Sequence, residues 1–237
     1  MPAETTLADR RHIALHLAHR WFAFLEAPGG DLSAHLTMFH PEVRLSGHRG
    51  THMFANDHRS LVAWFAAVPD TISSHHIVHS VYSDADNGQG VLRMVVAYQA
   101  PGDTEPHGSI ISYETRIEFA ANTPRFVALD KTPTLSNTRP TYETSWATNR
   151  VLSLVHAELG GITRSTGSLR AALGDDVRQV FAQVTAPEGS RSYEALITSI
   201  DGELLGSRAV RIDIQDDIRS PLPTAKHLEP IWHSVRD

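Results

Sequence analysis

Apolar residues recur at helical spacing from Leu7 to Glu26, where Ile13, Leu17, Trp21, Phe24 and Leu25 line one face and the run Pro28-Gly29-Gly30-Asp31 ends the segment. Asp31 then caps a short helix through Leu32, Leu36 and Phe39, and an extended piece starts at Val43. A loop over 47–54 leads to Asn56 or Asp57, the expected N-cap of a third helix that carries Leu61, Trp64 and Phe65 and closes at Val68-Pro69-Asp70. Beyond it the apolar period becomes two. Strands are predicted over 75–82, 90–99, 109–119 and 125–131, separated by turn-forming runs at 83–90, 100–108 and 120–124. Helices first and a long antiparallel meander afterwards make an α+β chain.

A polar, proline-bearing linker over 134–143 precedes a second helical pattern, Trp146 to Ile162. It repeats the first. An offset of 137 carries Leu15, Leu17, His19, Gly30, Leu32, Ala34 and Leu36 onto Leu152, Leu154, His156, Gly167, Leu169, Ala171 and Leu173. A further echo pairs Ser112-Tyr113-Glu114 with Ser192-Tyr193-Glu194, with far fewer residues between helix and echo in the second half. The pattern predicts an internal duplication with a truncated second copy. Residues 1–138 would form the complete unit, 139–218 the partial one with a structural role, and 219–237 a proline-containing tail.

Composition narrows the class. With 41% hydrophobic and 20% charged residues the chain is expected to form a core. No segment has the roughly 20 apolar residues of a membrane span, and the N-terminus lacks the apolar stretch of a signal peptide, so a cytoplasmic protein without a membrane partner is expected. A net charge of −6 with no basic run argues against nucleic acid as a partner. The absence of cysteine excludes disulfides and thiolate chemistry. Fifteen histidines against 21 Lys+Arg is the compositional oddity.

Two stretches carry a resemblance. FLEAPGGDLSAHLTMFHPEVRLSG, at 24–47, resembles the acid-ended first helix, Gly-Asp-Leu turn and short helix of the NTF2-like superfamily in its SnoaL-like branch, and TISSHHIVHSVYSDADNGQGVLRMVVAYQ, at 71–99, resembles its histidine-bearing strand and the strand after it. The resemblance implies a cone in which a curved sheet wraps the first helices around a small-molecule cavity. It also implies that any reaction is cofactor-independent proton transfer of the lyase or isomerase kind, on an apolar, oxygenated substrate. Scytalone-dehydratase-like members place an acid at the end of the first helix beside a strand histidine. Those positions match Glu26 and, because the family's histidine precedes two apolar residues, His76 rather than His75. Tyr98 stands where such members have a second pocket histidine. A cyclase-like reading offers Asp130 as the late-sheet acid.

Around Glu26, His76 and Tyr98, the residues Trp21, Trp64, Tyr113, His48 and Val78 are expected to line the pocket, with His107 more peripheral. A carboxylate beside an imidazole fixes its tautomer and raises its basicity. No metal site is expected, since His75 and His79 on one strand face stand about 13 Å apart, too far for one ion. Two functions remain. One is a lyase or isomerase using His76 with Glu26. The other is a non-catalytic module of the same fold that binds a ligand or pairs domains, as a homodimer or an intramolecular pseudo-dimer. A connected polar set facing a cavity favours the first, and a filled cone the second.

Overall fold

Asp57 starts a helix by the expected mechanism: its side chain accepts the backbone N–H of Ser60 while the Ser60 hydroxyl receives the Asp57 N–H, a reciprocal capping box. The computed structural model describes residues 6–26, 32–68, 72–85, 87–120, 123–163, 169–174, 176–186, 191–201, 207–217 and 219–231. Helix α1 spans Leu7–Glu26, α2 Leu32–His35 with a 3-10 turn over Leu36–Met38, and α3 His58–Ala67. Strands β1 (Phe39–Gly47) and β2 (His52–Ala55) precede α3, and β3 (Ser74–Asp84), β4 (Gly90–Ala100), β5 (His107–Ala120) and β6 (Thr123–Ser136) form the meander. Then come α4 (Trp146–Leu159), α5 (Leu169–Leu173), β7 (Val177–Thr185), β8 (Ser192–Asp201), β9 (Ser207–Gln215) and β10 (Thr224–Ile231). The chain is α+β, as its pattern predicts.

Two compact units divide it. One is Trp21–Trp146, and the other joins residues 1–20 to 147–237. The change near residue 140 therefore lies at 146/147, while most of α1 groups with the later half. In the first unit six strands run in the order β2-β1-β6-β5-β4-β3, with β1 and β6 parallel. In the second, β10-β9-β8-β7 is an antiparallel meander. Three sequence expectations need correction. The loop over 47–54 contains β2. The expected tail contains β10, which pairs with β9 from Thr224 to Ile231. The second long helix stops at Leu159 rather than Ile162, because Gly161 adopts φ +73° and its N–H closes on the Glu158 carbonyl. Gly30 and Gly167, part of the repeat, lie outside the described residues.

In the unit of residues 1–20 and 147–237, the polar positions of two buried helices meet. His12 Nδ1 lies 2.9 Å from His156 Nδ1, His16 donates from Nδ1 to the Ser153 carbonyl at 2.9 Å, and His19 Nδ1 lies 2.8 Å from Asn149 Oδ1. His156 also stacks between His12 and His19, with ring centroids 5.1 and 5.6 Å away. The offset that relates the repeats carries His12 to Asn149, His16 to Ser153 and His19 to His156, so exchanging the helices maps this seam onto itself. The same unit buries an ion pair in which Arg150 reaches both carboxylate oxygens of Asp216, at 2.5 and 3.0 Å, and the Tyr193 hydroxyl donates to the same carboxylate at 2.7 Å.

Burial pushes the pKa of His12, His16 and His19 down to about 4, with Arg11 adding repulsion at His12 and Arg20 at His16. His156 is driven well below 6.5 by burial and then by the neighbouring histidines and Arg11. All four are neutral in the folded chain near neutrality, whereas the unfolded chain takes up protons below about pH 6.5. Folding stability is therefore expected to be complete above pH 6.5 and to fall steadily toward pH 4, below which the contributions of His12, His16 and His19 level off. One such histidine accounts for about 3 kcal/mol over that window. Urea denaturation between pH 4 and 8 measures the slope, which should correspond to uptake of more than one proton on unfolding and flatten in His16→Asn.

Candidate functional site

The inner face of the six-stranded sheet is identified by burial on β4, where Leu92, Met94 and Val96 are at most 3% exposed. Their cross-strand partners on β3 are Tyr82, Ser80 and Ile77, and Tyr98 pairs with His75. Strict alternation would put Tyr82 and Ser80 on the face of His76, not of His75. A bulge between Ile77 and His79 inserts Val78 and reverses the alternation, so His75 lies on the face of Tyr82 and Leu92. The structure brings His75, and not the expected His76, to Glu26. The His76 ring points the other way and sits 3.2 Å from the Glu143 carbonyl, and Val78, expected in the pocket, is 60% exposed at the bulge.

Glu26 ends α1, where a carboxylate opposes the helix dipole and no basic residue accompanies it in the last turn. The side chain is held for another reason. Its Oε1 accepts the backbone N–H of His75 at 2.7 Å and the Ser145 hydroxyl at 2.7 Å, and lies 3.2 Å from His75 Nδ1. The His75 N–H is shared with Ser145 Oγ at 2.8 Å. The imidazole stacks on Phe22, with centroids 5.0 Å apart and planes 8° from parallel, and meets Tyr98 at 5.2 Å. Glu26 and His75 are 7% and 5% exposed. Burial raises the pKa of Tyr98 and, further, of Tyr113, so both phenols are neutral hydrogen-bonding groups near neutrality.

The expected pocket-lining aromatics are packed into one another. Trp21 meets Phe39 edge-on at 5.2 Å and Phe65 at 6.3 Å, Phe24 stacks on Phe65 at 4.8 Å, and Tyr113 meets Phe22 edge-on at 5.4 Å. Trp21, Phe22, Phe24, Phe39, Tyr113 and Phe126 are all at most 4% exposed. Trp64 faces Lys131, whose Nζ lies 5.2 Å from its ring and 5.0 Å from that of Phe54. Burial lowers the Lys131 pKa. This inward lysine was not foreseen, since strand parity near the end of β6 is displaced by bulges in the β5–β6 pairing.

The remaining candidates are Asp130, His48 and His107. Asp130, offered as a cyclase-like acid, is on the outer face, where it accepts the Ser46 hydroxyl at 2.7 Å, the Gly50 N–H at 2.6 Å and the Thr132 hydroxyl at 3.1 Å and so anchors a loop. His48 belongs to that loop and is exposed, and His107 is an exposed residue opening β5. The outer face also carries an open groove of about 600 Å³ bordered by Arg44, Arg49, Glu114, Arg116 and Asp130. Among the described residues no group of three or more His, Asp or Glu side chains converges as a metal would require, and no helix is long and apolar enough to cross a membrane.

Removing the Glu26 carboxylate takes the shared acceptor from the buried Ser145 hydroxyl and the His75 imidazole and leaves the His75 N–H only its bond to Ser145, so Glu26→Ala is expected to lower stability by about 3 kcal/mol or more. His76→Ala should change it by less than about 0.5 kcal/mol, as befits a residue whose ring faces away from the core. Urea denaturation of the two variants makes the comparison, and equal losses would contradict the assignment of faces.

No protein-family model and no curated protein matches the chain. Solved structures similar to it include an NTF2-like protein with a cystatin-like fold from Novosphingobium aromaticivorans, 10% identical, covering 61% of this chain and 88% of its own at a TM-score of 0.44. ActVI-ORFA from Streptomyces coelicolor is 11% identical over 52% of this chain and 96% of its own, TM-score 0.43. The CaMKII hub of S. rosetta is 13% identical over 56% and 100%, TM-score 0.43. In Trp21–Trp146 the end of a long helix, a short helix, two strands, a third helix and a four-stranded meander whose last strand pairs back on the first make an α+β unit.

Proposed function

We propose that this chain is a non-catalytic, small-molecule-binding module of NTF2-like fold whose ligand site is the outer-face groove, and not a lyase or isomerase acting inside the cone. The observation that carries the reading is the contrast between the two faces. Inside, the aromatic chain from Trp21 to Phe126 is buried, and the Glu26 oxygen nearest His75 already receives the N–H and hydroxyl groups around it. A general base must reach a substrate proton at hydrogen-bond distance. His75, stacked on Phe22 and packed on Tyr98, is placed as a structural imidazole that closes the entrance of β3. Outside, a groove of about 600 Å³ is in the size range of small-molecule sites. A second cleft of about 270 Å³ adjoins it through Glu114 and Arg116.

The internal repeat supports a further part of the same reading: the unit of residues 1–20 and 147–237 is a partial copy with a structural role. Its four-stranded sheet has no counterpart of β1, β2 and α3 between α5 and β7.

The test is a two-dimensional NMR screen of the isotope-labelled chain against a fragment library. Perturbed amides are expected in residues 44–50, 112–116 and 128–132, and His75→Gln and Tyr98→Phe should bind the same fragments equally well. Perturbations centred on His75 and Tyr98, with binding lost in His75→Gln, would restore the cone as the site and overturn the proposal.

A further inference from the structure

Resting on that reading of the groove, the geometry points to its ligand class: we infer that the outer-face groove binds a small organic anion through Arg44, Arg116 and Arg49. Strand register builds the arrangement. Arg116 on β5 pairs with Ala128 on β6, and Ala128 pairs with Arg44 on β1, so two guanidinium side chains flank one alanine in a single row across three strands. Their backbones stand two strand spacings apart, roughly 10 Å. The methyl group between them leaves the floor low, and Met53 gives the rim an apolar patch that is 41% exposed.

Cations arranged this way on a sheet repel each other unless a carboxylate sits among them. Two carboxylates that border the groove are committed elsewhere. In the adjacent row, Ser46–Asp130–Glu114–Arg93, Glu114 pairs with Arg93 at 3.0 Å, and Asp130 is occupied by two hydroxyls and the Gly50 N–H. No ion pair joins Arg44, Arg49 or Arg116 to a described residue. This happens in a chain with a net charge of −6, where acidic partners are plentiful.

The third arginine is delivered by a strained turn. His48 and Arg49 have φ of +52° and +59°, followed by Gly50 at +79°, a left-handed run that residues with side chains seldom adopt. Three successive N–H groups hold it, donating to the Lys131 carbonyl, the Thr132 hydroxyl and the Asp130 carboxylate. Asp130 therefore acts as the brace that keeps Arg49 at the groove. A guanidinium offers a planar pair of donors to a carboxylate, phosphate or sulfate group, and the exposed methyls accept a short apolar body. A second copy of this chain fits less well, since a two-fold contact would bring the same arginines face to face.

The probes are adipate, phenyl phosphate and the neutral adipamide, titrated into the labelled chain by NMR at low and high salt. Adipate and phenyl phosphate should shift the amides of Arg44, Ala128 and Arg116, with affinity falling as salt rises. Arg44→Gln and Arg116→Gln should each weaken binding about tenfold or more, with the rest of the spectrum unchanged. Asp130→Asn should weaken it less and move the 48–50 amides without any ligand. Adipamide binding as well as adipate at the same residues would refute the anionic class while leaving the groove as the site. Absence of any binding up to millimolar probe, or a dimer dissociated by Arg116→Gln, would also overturn the inference. Shifts centred on His75 and Tyr98 would remove both the inference and the reading beneath it.

Discussion

A single carboxylate oxygen governs the first unit. Glu26 Oε1 gathers the N–H of His75 at the start of β3, the imidazole of the same residue and the hydroxyl of Ser145 just before α4. A buried carboxylate is expensive unless hydrogen bonds replace its water, so these three points of the chain must come together for the helix end to be buried at all. Once they do, Phe22 lies on His75, Trp21 lies among Phe24, Phe39 and Phe65, and the inner face of the sheet is covered. Glu26 and His75 thus tie the end of α1 to the start of β3.

Covering one face defines the other. With the aromatic side chains committed inward, the outer residues of β1, β5 and β6 are free to be charged, and the sequence puts arginine there twice in one row. The polar network of that face has a division of labour. Glu114 pairs with Arg93, Asp130 shapes the 48–50 turn, and no ion pair joins Arg44, Arg49 or Arg116 to a described residue.

The unit of residues 1–20 and 147–237 spends its histidines differently. A helix buried on every side from His12 to Ala18 and on to His19 must satisfy its polar positions with another helix, and α4 supplies Asn149, Ser153 and His156 at matching height. Neutral imidazoles can both donate and accept, which lets a seam of four histidines close without a counter-ion. The buried Arg150–Asp216 pair, completed by Tyr193, solves the same problem with charge.

Much of this was legible in the sequence. The order of the helices and of the meander strands and the cap at Asp57 are local or periodic signals, and local signals survive because dihedral preferences and side-chain alternation act over a few residues. The pairing of an acid with a strand histidine was legible too, on the strength of resemblance. What alternation could not give was which histidine. The bulge at Val78 reverses faces between Ile77 and His79, and a bulge is stabilised by its neighbouring strand, not by its own residues. Ser145, Lys131 and the Arg44–Ala128–Arg116 row were invisible for the same reason: each acquires its meaning only from residues tens of positions away that strand register brings alongside. By itself the sequence determined the helices and the strands of the meander, though not β2 or β10, and brought an acid, an imidazole and several aromatics together as candidates for one site. Tertiary structure alone decided which face each side chain takes, because register and burial are properties of pairs of strands.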